Sequence, residues 1–437
     1  MTTVVSKFGG SSLAEASQIK KVYDIIKADD NRRYIVPSAP GKRFPEDEKV
    51  TDMLYALYEE HDPASSSTFA SLKERFSEIC SGLGAGIDID AELDKIADDL
   101  KNGESVDYAA SRGEYLNGLI LSDILGFDFV DPKDYICFDD RGIYDHEKTI
   151  KAFSPELRKH EKAVVPGFYG STPDGKIKTF SRGGSDITGS IVSCCVKASL
   201  YENWTDVDGF LKADPRIVEH PDKIDIITYR ELRELSYMGA TVLHEDSIFP
   251  VLQVAIPIHV KNTNNPDSSG TLIVPQMTPD LEKKAGTITG IAGKKDFTVI
   301  AIAKNGMNAE VGFGRRVLNC LEKYGITFEH MPSSIDTMCV VIGSSAIEDH
   351  LWDIVQDIHT ECEPDSVEVF NDVALIATVG RHMIGQIGIC AKLFTALAEN
   401  NINVRMIDQG SSEMNIIVGV KNEDFEKAVK SIYNALI

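Results

Sequence analysis

Val4–Ser12, VVSKFGGSS, is a short apolar strand that ends in a lysine and a Gly-Gly turn. A second glycine turn, SRGGSD at 181–186, recurs far downstream. Glycines at such turns let the backbone come close to an anion, and a following helix offers unpaired N–H groups and the positive end of its dipole. Lys7 accompanies the first turn, and Arg182 with Asp186 the second. One such turn says little. Two, each between a strand and a helix, point to a polyphosphate gripped from both sides.

The bulk properties narrow the field. With 437 residues, 43% hydrophobic and 26% charged, the chain is long enough for two or three domains with substantial cores. A net charge of −23 argues against nonspecific binding to nucleic acid or to an anionic membrane. It does not exclude a local basic pocket for a nucleotide. MTTVVSKFGG lacks the basic and apolar regions of a secretion signal, and no apolar run approaches the length of a membrane span. The eight cysteines show no CxxC pairing and read as reduced core thiols of a cytoplasmic protein, without a zinc site.

Strands and helices alternate over the first 280 or so residues. The periodicity predicts helices over 13–28, 50–60, 68–80, 90–101, 105–125 and 187–199, with strands at 3–8, 34–38, 164–168, 176–180, from about 198, 224–228 and 257–261. This order implies a mainly parallel sheet with helices on both faces, and ligands beyond the carboxyl ends of its strands. Both glycine turns fall at that edge.

NTNNPDSSGT and the charged PDLEKK mark a boundary within 262–285, and the sequence beyond it repeats. A shift of 76 residues superposes Gly312 on Gly388, Leu321 on Leu397, Ile326 on Ile402, Met338 on Met414 and Gly343 on Gly419. Both copies read βαββα, of ferredoxin-like type. The first has a closing strand at 366–370, whereas the second ends in helix 422–437. The economical reading is that strand 287–291 (TITGI) completes the second copy, so that the first is inserted within it.

Four constellations carry chemistry. Lys7 beside Gly9 and Gly10 can neutralise charge on a transferring phosphoryl group. The alternative is a solvated lysine at a strand end. The turn is not a P-loop, because GxxxxGK[ST] is absent, and HRD and DFG of the protein kinases are missing too. Asp186, at the start of helix 187–199, reads as a helix cap, as a carboxylate that orients Lys7, or as both. Glu114, in SRGEYLNG at 111–118, reads as a carboxylate at the start of a helix, either dipole-friendly or a receiver for a substrate ammonium. Ser38 and Thr51 flank the charged loop PGKRFPEDEK and are candidates to line the same pocket. TDVDGFLKADPR at 205–216 offers Asp206 to a ribose or to hydrated Mg²⁺, and Arg216 to phosphate. It lacks the ligand spacing of an EF-hand.

KFGGSS, SRGE, SRGGSD and TDVDGF…ADPR, in this order and at these separations, resemble the aspartate kinases of the amino-acid kinase superfamily. The resemblance covers essentially the whole chain, since two ACT-type regulatory domains usually follow that catalytic domain. It implies a three-layer αβα kinase domain at 1–282 and ferredoxin-like ACT domains at 283–371 and 372–437. It further implies that L-aspartate is phosphorylated by ATP with Mg²⁺, the first step toward lysine, threonine and methionine. By the same resemblance Lys7, Gly9 and Gly10 stabilise phosphate, Asp186 organises the lysine, Glu114 receives the substrate ammonium and Arg182 a substrate carboxylate. Ser38 and Thr51 stand at the aspartate, and Thr205, Asp206, Phe210, Arg216 and Val242 where the family holds ATP. This chain departs from the family's GAKVLH by having Thr241 in place of its lysine.

EHMPSSID at 329–336 resembles the lysine-responsive members. That implies an amino-acid effector, L-lysine, at Met307, Gly314, Phe328, Glu329, Ser334 and Asp336. The second repeat, with VRMIDQGSS at 404–412, would build the interface of a homodimer or dimer of dimers. Two rival readings stand beside this one. The fold could serve another acceptor, such as acetylglutamate, glutamate or a nucleoside monophosphate, although Glu114 suits a free ammonium and would repel a phosphate. The chain could instead be a sensor in which only the ACT pair works, against which the four intact motifs argue.

Overall fold

The computed structural model describes residues 2–181, 183–240, 243, 245–283 and 285–437. They form two compact units. The first comprises residues up to 210 with 223–229 and 241–284; the second comprises 211–222, 230–240 and everything from 285.

The strands and helices alternate through the first unit: β1 (Val4–Phe8), α1 (Ala16–Lys27), β2 (Arg32–Pro37), α2 (Val50–Tyr58), α3 (Ser67–Leu83), α4 (Ile89–Lys101), α5 (Val106–Leu125), β3 (Asp128–Phe129), α6 (His146–Leu157), β4 (Ala163–Val164), β5 (Tyr169–Ser171), β6 (Ile177–Thr179), α7 (Gly184–Val196), β7 (Leu200–Thr205) and β8 (Ile226–Thr228). Then come α8 (Tyr229–Tyr237), α9 (Glu245–Gln253), β9 (Ile258–Asn262), β10 (Thr271–Val274) and the short α10 (Pro279–Glu282). The eight-stranded sheet runs β3-β4-β2-β1-β7-β9-β10-β8, with only the β9–β10 pair antiparallel. Helix ends follow local chemistry. The hydroxyls of Ser66 and Ser105 cap α3 and α5, and left-handed Gly84 and Gly126 close them.

β1 is buried along its length, so it is central and its alternation decides what each face receives. Phe8 faces the core made by α1–α5 and stacks on Trp204 of β7. Ser6 on the same face donates to Glu202, a buried carboxylate that also takes Arg32 and the Trp204 indole N–H. Lys7 is sent to the opposite face, where α7 packs. Tight packing there requires Gly189, whose added Cβ would lie 2.5 Å from the Tyr201 hydroxyl.

The second unit carries β11 (Gly290–Ala303), α11 (Phe313–Glu322), β12 (Thr337–Gly343), α12 (Ser344–Ile347), α13 (Leu351–Cys362), β13 (Ser366–Val379), α14 (Ile389–Glu399), β14 (Met406–Asp408), β15 (Asn415–Lys421) and α15 (Phe425–Leu436). Its antiparallel sheet has the order β12-β11-β13-β15-β14. β11 and β13 each serve both repeats. Phe297–Ala303 pairs with β12 and the first half of β13, while Gly290–Lys294 pairs with Leu375–Val379. The change occurs at Asp296 and Asp372, which occupy equivalent repeat positions with φ 67° and 65°. Thr287 and Ile288 stay outside the ladder, with their backbone against Gly380, where a Cβ would lie 2.3 Å from the Thr287 oxygen. Each repeat has its own apolar core, and that of the second takes in Ala213 and Val218.

The segments 211–222 and 230–240 are fastened within this unit by polar contacts. Ile291 N–H donates to the Lys212 carbonyl at 2.7 Å, and the Asn415 amide to Glu234 at 2.7 Å. Glu231, 0% exposed, accepts from the Thr289 hydroxyl at 2.5 Å and pairs with Arg381 at 3.1 Å. No helix among the described residues is long and apolar enough to cross a membrane. Arg381→Met removes the cation from a buried carboxylate, and equilibrium unfolding in urea should show a loss of roughly 3–5 kcal/mol in the stability of this unit.

Candidate active site

β1, β7 and the first turn of α7 converge on one ion pair. Lys7 Nζ lies 2.6 Å from Asp186 Oδ1, with both side chains largely shielded. In the parallel register Lys7 stands beside Asn203, and the Asn203 amide donates to the same Asp186 oxygen at 2.8 Å. Asn203 was not anticipated from the sequence. Its signal is a neutral polar residue inside the buried strand LYENWT, at the same parity as Lys7 on the neighbouring strand. Asp186 is not a helix cap: α7 begins earlier than the pattern implied, with left-handed Gly183 at the cap and Asp186 inside the first turn.

Gly9 and Gly10 continue β1 into a 3₁₀ turn. Gly9 N–H donates to the Trp204 carbonyl at 2.9 Å, which ties the turn to the end of β7. The loop 38–49 folds onto Gly10. Gly41 N–H donates to the Gly10 carbonyl at 2.8 Å, and a Cβ on Gly41 would lie 2.6 Å from the Gly10 carbonyl carbon. Buried Arg75 of α3 rivets the loop by donating to the carbonyls of Gly41, Glu48 and Ala14 and by pairing with Asp47 at 3.4 Å. The Arg43 hydrogen bond holds Asp47 well below the usual carboxylate range.

Glu114 lies in the middle of α5, not at a helix start, so the dipole does not account for it. It is 5% exposed; the Ser185 hydroxyl lies 3.5 Å from Oε1, while Oε2 has no hydrogen-bond partner. Burial pushes its carboxyl up to about 8, although the Ala39 N–H and the Ser185 hydroxyl pull the other way. Ser38, half-buried, ends the β2 segment beside it, and Thr51 sits in the first turn of α2. Facing the start of α7 is Phe168, which holds φ 82° and donates its N–H to Thr188. A Cβ on Gly184 would lie 2.4 Å from its ring. A bulky residue in that backbone region marks a strained, over-determined position, and nothing in the sequence announced it.

Thr205 ends β7, and Asp206 beside it is exposed. Phe210 is buried and donates its N–H to the Thr271 hydroxyl at 2.8 Å. Arg216 belongs to the second unit, exposed and held by Asp214 at 2.6 Å. Arg182, Thr241 and Val242 lie outside the described residues. In the first repeat, Asp336 accepts from Gly306 N–H at 2.8 Å, which joins its loop to the turn holding buried Met307. Gly314 opens toward Met338, Ser334 is exposed, and Phe328 and Glu329 occupy the segment before the His330–Val341 bridge.

Comparison with known proteins identifies the family to which the fold belongs. The amino acid kinase family pattern matches residues 2–262, and an ACT domain pattern matches 376–436. Aspartokinase 3 of Bacillus subtilis (strain 168) is 38% identical over 449 residues, covering 98% of this chain and 97% of the relative. The crystal structure of Clostridium acetobutylicum aspartate kinase superposes with a TM-score of 0.88 at 52% identity, over 100% of both chains. Aspartokinase III of E. coli, 26% identical, superposes with TM-scores of 0.74 in complex with aspartate and ADP and 0.72 in complex with lysine and aspartate. The first covers 99% of both chains, and the second 100% of this chain and 99% of the other.

The raised Glu114 carboxyl has a consequence for stability. The folded state keeps a proton that the unfolded chain releases near 4.5, so the stabilisation is complete below that pH and is gone above about 8. Thermal melts of the ligand-free protein from pH 5 to 8.5 should therefore fall more steeply for the wild type than for Glu114→Gln. Parallel curves would contradict this.

Proposed function

From the premise that the chain belongs to the amino acid kinase family, among its aspartokinases, we propose that it transfers the γ-phosphoryl group of ATP to the β-carboxylate of L-aspartate. The products are 4-phospho-L-aspartate and ADP. A carboxylate oxygen attacks phosphorus in line, the bond to the β-phosphate oxygen breaks, and ADP leaves with the electron pair. No proton moves, so no general base is required. What the protein must supply is position and compensating charge.

The observation that carries this reading is the Lys7–Asp186 contact of 2.6 Å where the two glycine turns meet. Lys7 supplies positive charge to the transferring group. Asp186 aims the ammonium, and Asn203 fixes Asp186 from the adjacent strand. The close Gly10–Gly41 backbone contact keeps side chains away from the phosphate path. Glu114 receives the α-ammonium, which restores the ionised carboxylate that burial disfavours. Ser38 and Thr51 line the aspartate, Arg182 takes a substrate carboxylate, and Gly9, Thr205, Asp206, Phe210, Arg216 and Val242 attend the nucleotide. The aspartate and ADP in the E. coli relative support these assignments.

Mg²⁺ would come to this site as an ion brought by the nucleotide. Bound there, it would neutralise phosphate charge. L-lysine is the effector we assign to the first repeat, at Met307, Gly314, Phe328, Glu329, Ser334 and Asp336, supported by the lysine complex of the same relative. We assign the protein to the cytoplasm, as a homodimer or dimer of dimers joined through the ACT repeats.

In a coupled assay, ADP release should depend on L-aspartate, and Lys7→Met should lower turnover by about 10²–10³-fold in a variant that circular dichroism shows to be folded. Undiminished turnover would remove Lys7 from the reaction. Saturating L-lysine should move the rate-versus-aspartate curve to higher aspartate, as an effector with unequal affinity for two states must. A curve that stays in place would overturn the regulatory assignment.

A further inference from the structure

Asn117 places a second unpaired acceptor on α5, one helical turn after Glu114. It is 1% exposed. Its Nδ2 donates to the Ser38 carbonyl at 2.8 Å, which fixes the amide orientation because a carbonyl can only accept. That leaves Oδ1 buried without a hydrogen-bond partner, as Glu114 Oε2 is. Residues three apart on a helix share a face. Asn117 also holds the end of β2 through Ser38.

Folded proteins leave few buried polar atoms unsatisfied, and once Glu114 is ionised two acceptors within one helical turn call for a common donor. Such a donor must offer at least two hydrogens at once. A carboxylate or phosphate would face two acceptors and be repelled, whereas a primary ammonium offers three donors. The Lys7 ammonium is engaged with Asp186. We propose that Asn117 Oδ1 is a second acceptor for the substrate's α-ammonium and a determinant of specificity for free amino acids over dicarboxylates that lack the amine. This rests on the reading of Glu114 as the ammonium receiver.

The competing role for Asn117 is structural, as a clasp on the Ser38 carbonyl alone. Succinate separates the two, because it keeps both carboxylates of aspartate and has no ammonium. The KM for L-aspartate and the competitive Ki for succinate are measured in the wild type, Asn117→Leu, Asn117→Asp and Glu114→Gln. The leucine variant should raise the aspartate KM about tenfold or more, the scale of a hydrogen bond to a charged group, and move the succinate Ki less than about twofold. Asn117→Asp keeps an acceptor oxygen while losing the donor to Ser38, and should retain the preference for aspartate. Equal shifts for both ligands in the leucine variant, no shift in either, or an aspartate variant as indiscriminate as leucine would overturn the proposal. If Glu114→Gln shifts the ratio and Asn117→Leu does not, Asn117 alone is refuted; if Glu114→Gln leaves the ratio unmoved, the ammonium site itself is wrong. Should the leucine variant melt early, Asn117→Ala carries the same expectation.

Discussion

A lysine ammonium held 2.6 Å from an aspartate carboxylate, at the carboxyl edge of a buried parallel sheet, is the constraint on which the rest of the site depends. Lys7 is buried and Asp186 largely shielded, and the Asn203 amide shares the Asp186 oxygen with the ammonium. The cation comes from the central strand β1, and its partner from the first turn of α7. Their meeting therefore requires correct strand register and close seating of the helix. The alternation that buries Phe8 against α1–α5 is what directs Lys7 to the α7 face. Gly189 allows the helix to approach. A one-residue slip of β1 would exchange these faces and dissolve the ion pair along with the core.

The same logic explains why the acceptor side of the cleft is held so firmly. Arg75 reaches three backbone carbonyls from a buried position, so the charged loop that separates Ser38 from Thr51 is pinned to the glycine turn. Asn117 holds the other end of that connection at Ser38. With Glu114 ionised, its Oε2 and Asn117 Oδ1 are buried acceptors without a partner, which is a pre-organised arrangement for a cation.

Much of this was legible in the sequence because it rests on local signals. The two glycine turns, the strand–helix alternation and the 76-residue repeat are short-range patterns, and the structure shows Gly312 and Gly388 as left-handed caps of α11 and α14. What escaped depends on tertiary placement. Glu114 reads as a helix-start acid in SRGEYLNG, although the helix expected over 105–125, which the structure shows as α5, places it mid-helix. Asn203 and Asn117 look like ordinary polar residues until register and helix face bring them to Asp186 and Ser38. Periodicity shows that 230–237 is amphipathic, but not that its Glu231 pairs with Arg381, which lies 150 positions further along the chain. The βαββα pattern predicts a second strand in the first repeat before EHMPSSID; the structure has only an isolated bridge of His330 to Val341 there.

The central claim is that the ammonium of Lys7 and the carboxylate of Asp186 together address the phosphoryl group in flight. A crystal structure with ADP, aluminium fluoride and L-aspartate tests it most directly. The account predicts the Lys7 ammonium within about 3 Å of a fluoride while still in contact with Asp186. Aluminium fluoride bound away from Lys7, with the ion pair unchanged, would contradict it.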